Sequence, residues 1–120
     1  MPAHKVPLKI DQGAPFDRTF TWKAGPPGAP QLVDLTGCTA VAQFRTSVES
    51  PAALMELSTT DGRIVLGGPD GTIRIVISAL ATAAISWDEA VYDLNITFPG
   101  GTVVRRMAGG VAVSKGVTRE

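Results

Sequence analysis

A β-sandwich of seven to eight short strands is predicted by three features of this 120-residue sequence. Apolar side chains alternate with polar ones in several short runs, the period of a strand with one buried face. Thirteen glycines and nine prolines punctuate those runs, as an all-β chain with many turns requires. The stretch from Thr72 to Thr97 then supplies a topological signature. It opens on Ile73, Ile75 and Ile77 and closes on Ala90, Tyr92, Leu94 and Ile96. Between them Ser78 to Ser86 is alanine-rich and free of Gly and Pro. Ser78 fits an N-cap, so this segment reads as one or two helical turns bridging two strands. In immunoglobulin-like sandwiches a tyrosine two positions before the second cysteine bonds back to such a corner. Asp88, Ala90 and Tyr92 fit that pattern, with Leu94 in the place of the cysteine. The expected fold is therefore all-β and immunoglobulin-like, with the Tyr92 hydroxyl bonded to backbone near the corner from Ser78 to Trp87.

The remaining elements follow in order. Val6, Leu8 and Ile10 alternate with Pro7, Lys9 and Asp11; Pro7 cannot donate to a ladder, so this strand is expected to lie at an edge or to begin there. After the turn at Gln12 to Pro15, Phe16, Phe20 and Trp22 share one face with Arg18, whose stem packs while its head escapes at the sheet margin. Ala24 to Gln31 is a stiff loop of turn residues. Cys38, Ala40, Ala42 and Phe44 form the inner face of a third long strand. A short strand ends at Ser58, and Ile64 to Leu66 can pair briefly. Gly67-Gly68-Pro69-Asp70-Gly71 joins that piece to the strand from Thr72, and Phe98-Pro99-Gly100-Gly101 makes a second tight hairpin. The return strand, Thr102 to Ser114, loses its alternation between Arg105 and Gly110, which predicts a bulge. The expected core includes Ile73, Ile75, Ile77, Tyr92, Leu94, Val111 and Val113. The chain reads as a single domain over residues 1–120, with an N-terminal arm (1–5) and a C-terminal tail (115–120).

Eleven basic against eleven acidic residues leave a formal net charge of zero, removing the long-range field of a dedicated nucleic-acid binder. One cysteine cannot close an internal disulfide, which points to folding in a reducing cytoplasm. The N-terminus has no apolar run after its basic residue, so it is not a signal peptide, and no segment is apolar for long enough to span a membrane.

Parts for catalysis are few. The single histidine, His4, falls in an expected frayed arm, and Cys38 starts an apolar strand face, where it reads as core. Zinc ligands are lacking. Asp61-Gly62 and Asp70-Gly71 are β-turns without the further carboxylates of a calcium loop. Asp88 and Glu89 would point to opposite faces of a strand, which does not suit paired-carboxylate chemistry. No catalytic, cofactor or metal site is predicted. Arg105-Arg106 is the only basic doublet and reads as a solvated strand face. Trp22 could serve as a sugar-stacking platform, but Phe16 and Phe20 on its face favour burial.

Several strings together resemble a known family: Asp11 to Trp22 (DQGAPFDRTFTW), Val33 to Arg45 (VDLTGCTAVAQFR), Val91 to Leu94 (VYDL) and Val111 to Arg119 (VAVSKGVTR). They look like small virion proteins of tailed bacteriophages, and are similar to the immunoglobulin-like N-terminal domain of phage baseplate upper proteins. The resemblance runs in order from Val6 to Arg119. Many relatives carry tyrosine where this chain has Cys38. Those proteins continue into a long C-terminal region, so the resemblance is to the anchoring module alone. It implies a non-enzymatic structural component of a phage tail, tail tip or baseplate, made in the bacterial host cytoplasm. Its implied partners are other virion proteins and copies of itself, with no nucleic acid, membrane or cofactor. A capsid decoration protein and a carbohydrate-binding sandwich using Trp22 are the competing readings.

Such a domain acts through its surfaces. Lys5 in the arm, Pro26, Pro27 and Pro30 in the stiff loop, Arg105, Arg106, and Lys115 in the tail are the expected partner contacts. Prolines lower the ordering entropy of docking because their φ is already fixed. The polar arm and tail are expected to order only against a partner.

Overall fold

A computed structural model describes residues 4–25 and 28–116. Its strands are β1 (His4–Lys5), β2 (Leu8–Asp11), β3 (Phe16–Thr21), β4 (Lys23–Ala24), β5 (Gln31–Leu32), β6 (Thr39–Arg45), β7 (Met55–Ser58), β8 (Ile64–Leu66), β9 (Thr72–Ile77), β10 (Glu89–Thr97) and β11 (Val103–Ser114). The one α-helix among the described residues is α1 (Ala79–Ala83), with a 3-10 turn at Gly68–Asp70. One sheet runs β7-β6-β10-β11, with β1 and β2 parallel to β11 at its edge; the other runs β3-β9-β8. β3, β9 and β8 occupy the positions of strands B, E and D of an immunoglobulin-like sandwich, and β6, β10 and β11 those of C, F and G. The chain is thus an all-β, immunoglobulin-like sandwich. β4 and β5 form a separate small hairpin.

Each sheet buries the face that alternation assigns to it. Ile73, Ile75 and Ile77 of β9 meet Leu94, Ile96 and Tyr92 of β10 and Phe44 of β6 in one continuous core with Leu8, Ile10, Leu57, Met107, Val111 and Val113. Every residue expected in the core is there. Both predicted hairpins form. Gly71 closes the first with φ at +67°, and the Trp22 carbonyl would lie 2.8 Å from a Cβ there, so only glycine fits. The second closes through Gly101 N–H donating to the Phe98 carbonyl at 2.8 Å.

At the corner Ser78 caps α1 as expected, its hydroxyl accepting from Ala81 N–H at 3.1 Å. Thr82 is fully buried, its hydroxyl accepting from Gly13 N–H at 3.0 Å and sharing its one proton between the Ala14 carbonyl at 2.8 Å and the Ala79 carbonyl at 3.0 Å. Gln12 Nε2 donates to the Ile85 carbonyl at 3.0 Å. The corner's polar groups are therefore tied to the turn after β2, not to the tyrosine.

Tyr92 is buried, but its hydroxyl donates to the Val6 carbonyl at 2.6 Å, which corrects the expected bond to the corner. The reason lies in the edge of the sheet. Tyr92 stands opposite Gly109 of β11, and a Cβ on Gly109 would lie 2.6 Å from the Val6 oxygen. The bare glycine lets the N-terminal strand come close enough to receive the phenol. Asp88 takes no part: its side chain is 80% exposed, 3.7 Å from Lys115 Nζ, and its carbonyl accepts from Val113 N–H.

The described part of the N-terminal arm, His4 and Lys5, is a second correction; residues 1–3 of the arm and 117–120 of the tail lie outside the described residues. β1 and β2 keep one register against β11, from His4 beside Met107 to Asp11 beside Ser114, and Val6 N–H donates to the Ala108 carbonyl at 2.9 Å. Lys5 and His4 thus belong to one edge strand interrupted at Pro7. At the other end Gly116 N–H donates to Gln12 Oε1 at 3.0 Å, so the start of the tail is docked too.

Candidate interaction site

The predicted contact residues do not converge. Pro26 and Pro27 lie outside the described residues; Pro30 is exposed in the β4–β5 hairpin, at the end of the sandwich opposite the corner. Lys5 is exposed on β1. Lys115 sits at the corner end, its ammonium 3.5 Å from the Ile85 carbonyl and beside Asp88. Two apolar side chains at that same end project into solvent, Val48 of the β6–β7 loop at 86% exposure and Leu80 of α1 at 84%. Neither carried a signal in the sequence, because an isolated apolar residue in a loop reads the same whether covered or bare.

Arg105 and Arg106 face opposite ways, and the bulge falls at Arg106. Leu94 pairs with Met107 and Asn95 with Arg105, leaving Arg106 as the extra residue of β11. Two consecutive residues, Arg106 and Met107, therefore turn inward, while Arg105 faces out. The Arg106 guanidinium lies 4.8 Å from the centre of the Trp22 ring, and burial lowers its pKa. That corrects the solvated-face reading of Arg106. Trp22 is 8% exposed, packed edge-on against Phe98 and covered by Arg106, so it offers no open ring to a sugar.

A cleft of about 290 Å³ opens where the two sheets part, between β3 on one side and β1 and β11 on the other. His4, Val6, Thr19, Phe20, Thr21, Arg106 and Met107 line it together with Ile73. Arg18 of β3 lies with its guanidinium 4.9 Å from the Phe20 ring centre. The charges of Arg18 and Arg106 thus both rest on aromatic faces. The Arg18 charge also reaches Tyr92: burial pushes the phenol up to about 12, and Arg18 acts in the opposite direction. The bulge was legible in the sequence, but its consequence for Arg106 required the position of Trp22.

On the outer face of the larger sheet, Gln43, Arg45, Asp93, Asn95 and Arg105 line a shallower depression. Arg45 is occupied by the Ser50 carbonyl and Gln43, and Gln43 by Glu56. Asp17 and Arg74 pair across β3 and β9 at 2.6 Å, a bond that holds the Asp17 carboxyl below its ordinary range. The Cys38 thiol is half-buried and pushed up by desolvation and by Asp34, the opposite of an activated nucleophile. Among the described residues no group of three or more His, Cys, Asp or Glu side chains is placed to hold a metal.

No protein-family model matches the chain, and no curated protein does. Among solved structures it is similar to extracellular domains 3–5 of Drosophila OTK, at 18% identity with a TM-score of 0.39. That match covers 89% of this chain and 32% of the other, so the chain spans about a third of that structure's length. The fold assignment rests on the strand order and register of the domain itself.

Proposed function

We infer that the domain is a non-enzymatic structural connector, and that it works in the virion of a tailed bacteriophage, at the tail, tail tip or baseplate. The observation that carries the connector reading is the path of the chain. The first described strand starts beside Met107, and the last ends beside Asp11, at the other end of the paired edge strands. From His4 to Asp11 an extended chain covers about 25 Å. β2 and β11 are hydrogen-bonded side by side over that path, so tension between the two ends loads their ladder in parallel. A module held at both ends in this way passes force or position from one neighbour to the next. The phage setting rests on the resemblance of Asp11 to Trp22, Val33 to Arg45, Val91 to Leu94 and Val111 to Arg119 to baseplate upper proteins. In this chain Gln12, Phe16, Trp22 and Phe44 of those strings do structural work, as anchors of a scaffold would. Partners on this reading are other virion proteins and copies of the chain, assembled in the host cytoplasm.

Electron microscopy of phage particles carrying a gold-labelled copy tests this. Label at the tail or baseplate is expected. Label over the capsid would make it a decoration protein, and particles without label would end the virion reading.

A further inference from the structure

We propose that the outer edge of β3, with the cleft beside it, is a docking site for an extended acidic segment of another protein, which adds to the smaller sheet as a fourth strand. The edge is open. Trp22 N–H donates to the Gly71 carbonyl at 2.8 Å, and Phe20, Arg18 and Phe16 follow in register opposite Ile73, Ile75 and Ile77. Antiparallel pairing alternates, so these residues turn their backbone groups toward β9 and leave those of Asp17, Thr19 and Thr21 facing outward. Val76 N–H donating to the Arg63 carbonyl on the other side of β9 fixes the same alternation. Among the described residues no strand pairs with β3 except β9. A row of unpaired donors and acceptors on an edge strand is a template for another chain.

Charge selects the occupant. Arg106 lines the cleft and Arg18 rests on Phe20, one of its walls; among the described residues neither makes an ion pair or a hydrogen bond, and each has only its aromatic ring. Arg106 holds its charge partly desolvated with no counter-charge. A carboxylate from an incoming strand would complete either guanidinium with two N–H donors. The acidic group nearest along β3, Asp17, is already taken by Arg74 on the outward face. A second copy presenting the same edge would set arginine against arginine, so the charges that deter self-pairing are those that favour an acidic strand. Side chains of an added strand alternate, so acidic residues at every second position would face the cleft. This inference does not depend on the virion setting.

The test uses the isotope-labelled protein and two short synthetic peptides, one alternating glutamate with valine and one with glutamine in place of each glutamate. The glutamate peptide should slow amide exchange at Asp17, Thr19 and Thr21 by more than tenfold, while the glutamine peptide binds roughly tenfold more weakly. Arg18→Gln and Arg106→Gln should each weaken the glutamate peptide by a similar factor. Thr19→Pro, which removes an outward N–H and no bond to β9, should abolish protection with the unfolding midpoint retained. Arg18 is exposed, so its variant reports even where substitution at Arg106 disturbs folding. Equal affinity for both peptides, no protection at those three amides, or protection of them by self-association without peptide would each overturn the proposal.

Discussion

Tyr92 of β10 donates its hydroxyl to the Val6 carbonyl at 2.6 Å across 86 positions of sequence. The phenol passes over Gly109, the residue facing Tyr92 in the neighbouring strand, and reaches the edge strand beyond. One hydrogen bond therefore fastens the N-terminal strand to the centre of the larger sheet. Three elements meet there, and the stability of the edge depends on all of them.

Tyr92→Phe keeps the ring and leaves the Val6 carbonyl without its donor, so it should cost about 1–2 kcal/mol in denaturant unfolding. The phenol also imposes a pH dependence. Burial raises its pKa from 10.0 to about 12, against a smaller opposing effect of Arg18. The folded state keeps the proton where the unfolded state releases it, so this stabilisation is complete below pH 10 and is lost as pH rises toward 12. The loss should reach about 2–3 kcal/mol. Unfolding of the wild type and Tyr92→Phe from pH 9 to 12 checks it: the slope should be smaller in the variant, leaving the part that the raised Cys38 thiol contributes.

Gly109→Ala should displace Val6, because the new Cβ would meet its oxygen and carbonyl carbon at 2.6 and 3.0 Å. The expected cost is about 1–3 kcal/mol. Both this variant and Tyr92→Phe act through Val6, so the double variant should lose less than the sum of the two. Full additivity in urea unfolding would separate the two sites.

Thr82→Val preserves shape and removes the hydroxyl that joins α1 to Gly13 and Ala14. Two backbone groups lose their partner near the base of the corner, at a cost of about 1–3 kcal/mol. Amide exchange should speed up first at Gly13, which distinguishes local release of the corner from global destabilisation.

Arg106→Met should leave the unfolding midpoint unchanged or raise it. The guanidinium is partly desolvated without a carboxylate, while a methionine retains contact with the Trp22 ring. A lowered midpoint would mean that the stacking on Trp22 outweighs the desolvation.

Deleting residues 1–5 removes β1 and bares the part of β11 at Met107 and Ala108. A loose arm would leave thermal unfolding unchanged; a paired strand predicts a lower midpoint by a few degrees, of the order of 1 kcal/mol. Calorimetry of the trimmed chain decides between them.

The sequence by itself determined what local chemistry determines. Alternation assigned Ile73, Ile75, Ile77, Leu94 and Val111 to buried faces because a strand exposes its side chains with period two. Ser78 announced α1, since its hydroxyl needs only the next turn of backbone. Gly71 and Gly101 marked hairpins through conformations other residues avoid, and the break in pattern after Arg105 marked a bulge. What the tertiary structure decided was the partner of each group that reaches beyond its own strand. Tyr92 met Val6 and not the corner, because the parallel approach of β2 to β11 put a free carbonyl beside Gly109. Arg106 and Met107, neighbours in sequence, were turned to the same inward face by one unpaired residue. Arg106 came to line a cleft beside Phe20, the ring on which Arg18 of the other sheet rests. Such meetings depend on register and sheet packing, which no short stretch of sequence encodes alone.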